Sequence, residues 1–277
     1  MKKNSLKLIT LIIILINLVI SGCTQKQENK TQKEPISNKI SVREHSVLSV
    51  IWQQKSSEYK GLCYQAYNIA TLQLEKFVAE NKNNGKPLAI VTDIDETVLD
   101  NSPFNGRLIE LDEDYSKELW KEWGKQENAK PLPGAQEFFK FAASQGVEVF
   151  YISNRTVDQL PETIINLKKY NFPFIDSSHF LLKDETSKKQ PRRNKVLETH
   201  NIIMYLGDNL ADFLPEFDEL NRAEYLNEMK DKLGFEFIIF PNVMYGYWET
   251  KTLYNGKYDW SPAQKDSIRK AAITSFN

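Results

Sequence analysis

From residue 88 onward, short apolar runs alternate with longer segments in which apolar residues recur every three or four positions. The short runs predict buried strands, and the periodic segments predict amphipathic helices. The predicted strands are 88–92, 147–152, 180–182, 202–206 and 235–240. The predicted helices are 134–145, 157–170, 191–199, 220–233 and 261–276. This alternation predicts the α/β fold class, with a Rossmann-like parallel sheet flanked by helices on both faces.

A helical pattern also fills the segment before the first strand, from Val42 to about residue 81. We expect residues 42–82, 105–130 and 246–277 to form a smaller helical subdomain beside a sheet core of about 86–245. Residues 41–277 would then make one domain, since this length suits a single large domain with a cap.

Residues 1–22 differ from the rest of the chain, because lysines at the start are followed by an apolar run over 8–20. This run is shorter than the roughly 20 residues that a spanning helix needs, and the pattern is typical of a secretory signal. The segment ends in the sequence ISGC, whose last residue is Cys23, and this resembles the bacterial lipobox. The resemblance implies cleavage before Cys23 and lipidation of its thiol. A retained anchor helix is the alternative.

The segment after the signal, 23–40, is polar and contains too few apolar residues to bury a core. It is therefore predicted to be a flexible tether. Signal, lipidation site and tether together predict an extracytoplasmic protein that is anchored to the bacterial membrane as a lipoprotein.

The composition narrows the class of protein further. Hydrophobic residues make up 41% and charged residues 26%, which excludes a disordered or collagen-like chain. The formal net charge of -1 gives no electrostatic reason to expect nucleic acid as a partner. The chain has 2 cysteines, which excludes a disulfide-stapled scaffold and a zinc site made of four thiolates.

Acidic residues directly follow two of the predicted strands. Asp93 and Asp95 come after the first strand, where alternation puts both on one side, and Asp208 and Asp212 come after a later one. Ligands of parallel α/β sheets bind beyond the carboxyl ends of the strands, so these four side chains are expected to gather around one divalent ion. Oxygen ligands of this kind favour Mg²⁺ over calcium or zinc.

Other polar residues are placed to bind an anion. Ser153 and Asn154 follow the second predicted strand and suit the oxygens of an anionic group, although a Ser-Asn pair is equally common as a helix cap. One lysine of the basic segment 188–193 could offset charge on a transferring group. A solvated basic loop is the alternative for that segment.

These residues occur in the order of the haloacid dehalogenase superfamily: D-x-D-x-T, a Ser-Asn strand end, a lysine, and G-D-x-x-x-D. The sequences IVTDIDETVLDNSPF and YLGDNLADF are similar to the paired signatures of the class C bacterial acid phosphatases, which are secreted lipoproteins. Phe104 departs from the family pattern, which often has Tyr there. The resemblance implies the haloacid dehalogenase fold and hydrolysis of phosphomonoesters.

The resemblance also implies a role for each residue. Asp93 would attack phosphorus and form an aspartyl-phosphate, and Asp95 would act as general acid and then general base. Lys189 would stabilise the transferring charge, with Lys188 as the alternative lysine. The other implied roles are Mg²⁺ binding by Asp93, the Asp95 main-chain carbonyl and Asp208, orientation of the metal shell or Lys189 by Asp212, and phosphate binding by Thr97, Ser153 and Asn154.

Aromatic residues occur in the insertion after the first acidic stretch and directly after the last strand. Such rings could stack a flat base, worth roughly 1–3 kcal/mol per base, and core packing is the alternative. By resemblance, Trp120, Tyr245 and Trp248 would form a pocket for the nucleoside part of 5′-nucleoside monophosphates.

Two other functions stay open at this point. A surface lipoprotein could use the same fold to bind a ligand without turning it over, and a phosphotransferase or phosphonate-processing relative could share the motifs. The sequence also leaves the oligomeric state open, a homodimer included.

Overall fold

The computed structural model of the chain describes residues 41–80 and 85–276. The predicted signal segment 1–22, the tether 23–40 and the lipidation site Cys23 lie outside the described residues. None of the helices in the described part combines the length and the apolar character that crossing a bilayer requires.

A five-stranded parallel sheet, in the order β5-β4-β1-β6-β7, forms the centre of the fold. A two-stranded antiparallel pair, β2-β3, lies outside it. The strands are β1 Leu88–Thr92, β2 Leu99–Asp100, β3 Lys130–Pro131, β4 Glu148–Thr156, β5 Phe180–Lys183, β6 Asn201–Gly207 and β7 Phe237–Ile239.

Helices cover this sheet, so the predicted α/β fold with a parallel, helix-flanked sheet is confirmed. The helices are α1 Val47–Lys55, α2 Ser57–Glu80, α3 Ser102–Leu111, α4 Lys117–Lys125, α5 Ala135–Ser144, α6 Leu160–Lys169, α7 Gln190–Thr199, α8 Arg222–Met229 and α9 Pro262–Ala271. A π-helical segment, Trp248–Leu253, follows the last strand.

Three of the boundaries that differ from the sequence prediction have a clear physical reason. The first helical region is broken at Ser56, which is extended and accepts a hydrogen bond from the Tyr59 N–H at 2.9 Å. β4 continues to Thr156 because it keeps pairing with β5 across a register shift. The last helix ends at Ala271 rather than continuing to Phe276, which is 96% exposed and has no surface to pack against.

The long helix α2 packs on the sheet beneath the loop that carries the first two acids. The Tyr67 ring lies 5.5 Å from the Phe138 ring and 4.6 Å from the Phe240 ring. Its hydroxyl donates to the main-chain oxygen of Thr97 at 2.6 Å. Burial of such a ring is worth about 1.5–3 kcal/mol, so the hydrophobic core also holds the acidic loop in place.

Candidate active site

The end of β1 fixes the direction of the first two acids. The Asp93 N–H donates to the Leu206 carbonyl oxygen at 2.9 Å, which continues the pairing with β6 for one more residue. Ile94 is fully buried in the core, while Asp93 and Asp95 face the other way, as the alternation predicts. Glu96 then adopts a left-handed φ of 57°, which turns the chain away from the sheet.

Three carboxylates converge where β1 and β6 end side by side. One oxygen each from Asp93, Asp208 and Asp212 lies within 4.8 Å of the others. The Lys189 ammonium donates to Asp93 and, at 2.6 Å, to Asp212. Asp93, Lys189 and Asp212 are all buried, at 7%, 6% and 6% exposure. The chain thus collects three acids and one base that are far apart in sequence.

Gly207 makes this convergence possible. A Cβ at that position would collide with the side chain of Asp212, so the last residue of β6 must be glycine for the carboxylate to approach. Asp212 also accepts the Asn209 N–H at 3.0 Å, within a capping box at residues 209–212. The Asn242 amide donates to Asp208 at 2.8 Å and orients the second carboxylate.

Burial and mutual repulsion make these three carboxylates electrostatically unfavourable in the absence of a metal ion. Burial raises the pKa of Asp93 to about 7, Lys189 opposes the rise, and Asp212 and Asp95 add to it. Burial, together with Asp212 and Asp93, also raises the pKa of Asp208 well above its ordinary value. Burial alone would lower the pKa of Lys189, but Asp212 and Asp93 outweigh it and raise that pKa to about 12.

The donor set fits a divalent cation. If all three carboxylates were ionised beside one ammonium, this buried place would carry an excess of negative charge, and a divalent ion would neutralise it. The ligand atoms are oxygens, which Mg²⁺ prefers. Asp212 is expected among the gathering acids and as the residue that orients the metal shell or Lys189. It lies among the three converging carboxylates and also holds Lys189.

The Asp95 side chain lies apart from these three carboxylates. The Arg155 guanidinium donates to Asp95 from Nε at 3.0 Å and from Nη2 at 2.7 Å. Ser153 Oγ donates to the same carboxylate at 3.3 Å, and the Asn101 amide at 2.9 Å. The expectation that four carboxylates surround one ion is therefore wrong for the Asp95 side chain, because Arg155 holds it. The role of its main-chain carbonyl stays a prediction.

The residues expected to bind phosphate lie in different surroundings. Asn154 lines the pocket, and its side-chain oxygen accepts from Arg192 Nη2 at 2.8 Å. Ser153 is fully buried beside Asp95. Thr97 is also fully buried, lies behind the pocket lining, and its hydroxyl has no hydrogen-bond partner among the described residues.

A pocket of about 600 Å³ opens in front of the carboxylates. Trp120 and Tyr245, both predicted, contribute to its wall, and so do Phe104, Tyr115 and Tyr247. The Trp120 ring lies 5.0 Å from the Phe104 ring and 5.6 Å from the Arg155 guanidinium carbon. Trp248 lies outside the lining and is 47% exposed, since its indole N–H turns back to the Tyr245 carbonyl oxygen at 3.2 Å.

Comparison with known proteins decides the family. Residues 17–248 match the family model of the HAD superfamily, subfamily IIIB (acid phosphatase). The chain belongs to this family. This match confirms the resemblance to haloacid dehalogenase phosphatases that the acidic motifs indicated.

Two solved structures of the class C acid phosphatase from Bacillus anthracis are similar to this subfamily IIIB member. The first is 38% identical with a TM-score of 0.81, covering 86% of this chain and 100% of that one. The second, with tungstate bound, is 39% identical with a TM-score of 0.79, covering 84% and 98%.

More distant relatives of this subfamily IIIB chain are plant proteins. The Stem 28 kDa and Stem 31 kDa glycoproteins of Glycine max are each 27% identical over 171 residues. These alignments cover 58% of this chain and 63% and 55% of the plant proteins. The chain therefore spans less than two thirds of the length of these curated relatives.

Sequence reasoning missed two residues of this candidate site. Arg155 follows the Ser153-Asn154 pair directly, but nothing in its sequence neighbourhood points to Asp95. It reaches the carboxylate because β4 runs on past residue 152. Asn101 links the loop together, since it donates to Asp95, accepts the Trp123 indole N–H at 2.8 Å and offers its own N–H to Glu96 at 2.7 Å.

Proposed function

We propose that this subfamily IIIB protein is an extracytoplasmic, lipid-anchored, Mg²⁺-dependent acid phosphatase that hydrolyses 5′-nucleoside monophosphates. The observation that carries the proposal is the placement of three converging carboxylates and Lys189 at the base of a pocket whose wall is aromatic. The acidic base suits a metal-assisted reaction at phosphorus, and the rings suit a flat base.

Asp93 is the proposed nucleophile. Its carboxylate oxygen forms a bond to phosphorus as the bond from phosphorus to the leaving oxygen breaks, which gives an aspartyl-phosphate and an alcohol. Water then attacks the same phosphorus, releases inorganic phosphate and regenerates the carboxylate. Asp95 gives a proton to the leaving oxygen in the first step and takes one from water in the second. Arg155 and Asn101 hold Asp95 in one direction for both steps.

Charge stabilisation falls to the neighbouring groups. Asp93 and Asp208 would hold Mg²⁺, which would supply positive charge against the phosphoryl oxygens and let an anionic nucleophile approach an anionic substrate. Lys189 donates to a phosphoryl oxygen, and Asp212 keeps its ammonium in reach. Asn154, on the pocket wall, is placed to donate to another phosphoryl oxygen.

The aromatic wall supports a nucleotide substrate. Trp120 packs on Phe104 and faces the pocket together with Tyr115 and Tyr245. A volume of about 600 Å³ is in the range of pockets for small organic ligands. Stacking of a base on such rings is worth roughly 1–3 kcal/mol.

Phosphate release from a panel of nucleoside monophosphates, a sugar phosphate and an aryl phosphate tests the catalytic part. We expect Mg²⁺-dependent turnover at acidic to neutral pH, the nucleotides as best substrates, and loss of turnover in the presence of chelator. Absence of phosphate release between pH 4 and 8 with Mg²⁺ present would contradict the proposal.

Asp93→Asn separates catalysis from mere binding. The amide cannot form the phospho-intermediate, so turnover should vanish while the nucleotide still binds. A binding lipoprotein on the same fold would show no turnover in either form, and its ligand affinity would be unaffected by the change.

The lipid anchor is tested independently of activity. Cys23→Ser removes the thiol that would be acylated, so the protein should move from the membrane fraction to the soluble extracytoplasmic fraction. Equal membrane retention of the variant would instead favour an anchor helix.

A further inference from the structure

A cluster of cations lines the end of the pocket remote from the carboxylates. Arg43 comes from the segment before α1, and Lys265 and Arg269 come from α9. Two acids, Asp114 and Glu249, line the same end. Lys257 adds a fourth cation to the lining, so this end carries more positive than negative charge.

The partners of these cations do not use up their charge. Asp114 is shared between Lys265, at 2.9 Å, and Arg43, at 3.6 Å, and its side chain is half exposed. Arg269 donates to the Tyr254 hydroxyl at 2.8 Å, and no ion pair joins it to a carboxylate in the described part of the chain. The same hydroxyl donates to Glu249 at 3.0 Å, so the Arg269 guanidinium meets this acid only through an uncharged group and keeps its positive charge for a ligand.

Arg43 adds its charge to the same end of the pocket. Its Nη2 donates to Asn105 at 3.3 Å, while its Nε is buried and has no hydrogen-bond partner among the described residues. The side chain is only 11% exposed, so the guanidinium belongs to the pocket wall rather than to open solvent.

Aromatic rings lie between the two ends of the pocket. Arg155, which holds Asp95, lies against Trp120, and Trp120 packs on Phe104 at 5.0 Å. Asn105, the neighbour of Phe104 on α3, is the residue that Arg43 contacts. A ligand whose phosphate reaches Asp93 and whose flat part lies on Trp120 therefore extends toward the cations.

We propose that this cation cluster is a second anion subsite, and that it selects phosphomonoesters whose organic part carries another anionic group beyond its flat ring. A carboxylate or a phosphate would satisfy the same donors. The inference rests on the proposed phosphatase function, and it makes the far end of the pocket the part that chooses among phosphomonoesters.

A matched pair of nucleotides tests the subsite. AMP and N6-(1,2-dicarboxyethyl)-AMP have the same phosphate, ribose and purine, and only the second carries carboxylates beyond the base. With the full chain and Mg²⁺, we expect kcat/KM to favour the dicarboxylate by about tenfold, since charge-assisted hydrogen bonds are strong. Arg269→Gln should bring this ratio close to one, and Arg269→Lys should keep most of the preference.

Lys270→Gln is the matched control, because Lys270 is the next residue on α9, pairs with Asp266 at 2.8 Å and lies outside the pocket lining. Its ratio should equal that of the unchanged protein. A ratio near one in the unchanged protein, or a ratio that survives Arg269→Gln, overturns the subsite while the phosphatase stands. If neither nucleotide is hydrolysed, the phosphatase proposal fails, and calorimetric titration with the same two nucleotides then tests the subsite. A tenfold difference in Kd that Arg269→Gln removes would support the subsite. Equal Kd values for the two nucleotides would overturn it.

Discussion

The two ends of the pocket are built in different ways. At the base, Asp93 and Asp208 lie at or beyond the ends of neighbouring parallel strands, and Asp93 and Lys189 are buried. At the far end, Arg43 precedes α1, Lys265 and Arg269 lie on α9, and Asp114 is half exposed. The base is therefore fixed by the sheet, whereas the far end is held by contacts among side chains of helices and loops. This difference assigns chemistry to the base and substrate choice to the far end.

The largest effect should come from Lys189→Met, which removes the ammonium at the base. Loss of one charge-stabilising donor typically costs about 10²–10³-fold in kcat, and we expect a loss of at least that size in phosphate release. Lys188→Met is the control, since the Lys188 side chain is 63% exposed and lies 3.9 Å from Glu219. Equal losses in the two variants would contradict the assignment of Lys189 to the site.

Arg155→Lys should cost about 10²-fold in kcat, because lysine cannot reproduce the two-point hold on Asp95. Since Arg155 is proposed to position the acid–base group, the pH profile of kcat should change shape while KM for an aryl phosphate changes little. An unchanged pH profile with a raised KM would instead mean that Arg155 binds substrate directly.

Trp120→Ala addresses the wall between the two ends. Loss of one stacking ring should raise KM for AMP by about tenfold, with a smaller effect on a sugar phosphate. Trp248→Ala is the matched control, because that indole lies outside the pocket lining. Should Trp248→Ala raise KM as much as Trp120→Ala, the original expectation for Trp248 would be restored.

The smallest effect concerns stability near the far end. Burial, with Arg269 and Arg43, lowers the pKa of His45 from 6.5 to about 4, against a weaker opposing effect of Asp114. Between pH 6.5 and 4 the unfolded chain therefore binds a proton that the folded chain excludes. The free energy of unfolding is highest with respect to this group above pH 6.5, and it decreases as the pH falls toward 4.

His45→Asn should flatten that dependence. The urea midpoint of the variant should fall less between pH 7 and 4.5 than that of the unchanged protein. If the midpoint falls equally in both proteins, His45 does not cause this pH dependence of stability. Glu148→Gln is a useful comparison, because Glu148 contacts His179 and His200 at 3.1 and 3.3 Å, outside the pocket lining.

The base of the pocket could be predicted from the sequence because its residues sit at strand ends. An apolar run followed by Asp93, and another followed by Gly207 and Asp208, already locate the carboxyl edge of a parallel sheet. Because the two strands are neighbours in the sheet, these positions lie close together regardless of the conformation of the intervening loops. The buried Lys189 contacts Asp93 at the same edge of the sheet. The sequence alone did not decide between Lys189 and Lys188 as the lysine of the site.

The rest could not be read from local patterns. Arg155 acts across β4 on an acid far away in sequence, and only the length of that strand puts it there. Trp248 and Thr97 match the expected residue types. However, the Trp248 indole N–H turns to a main-chain oxygen, and Thr97 is buried behind the pocket. The far end combines Arg43 from before α1, Asp114 from between α3 and α4, and cations of α9, so its charge balance depends on tertiary packing.

A crystal structure of the protein with Mn²⁺ in place of Mg²⁺ tests the central claim most directly, because the anomalous signal of Mn²⁺ locates the ion without reference to activity. The account predicts one peak per chain, within bonding distance of carboxylate oxygens of Asp93 and Asp208, and loss of that peak in Asp208→Asn. A peak elsewhere, or an unchanged peak in the variant, would contradict a metal centre at the base of the pocket.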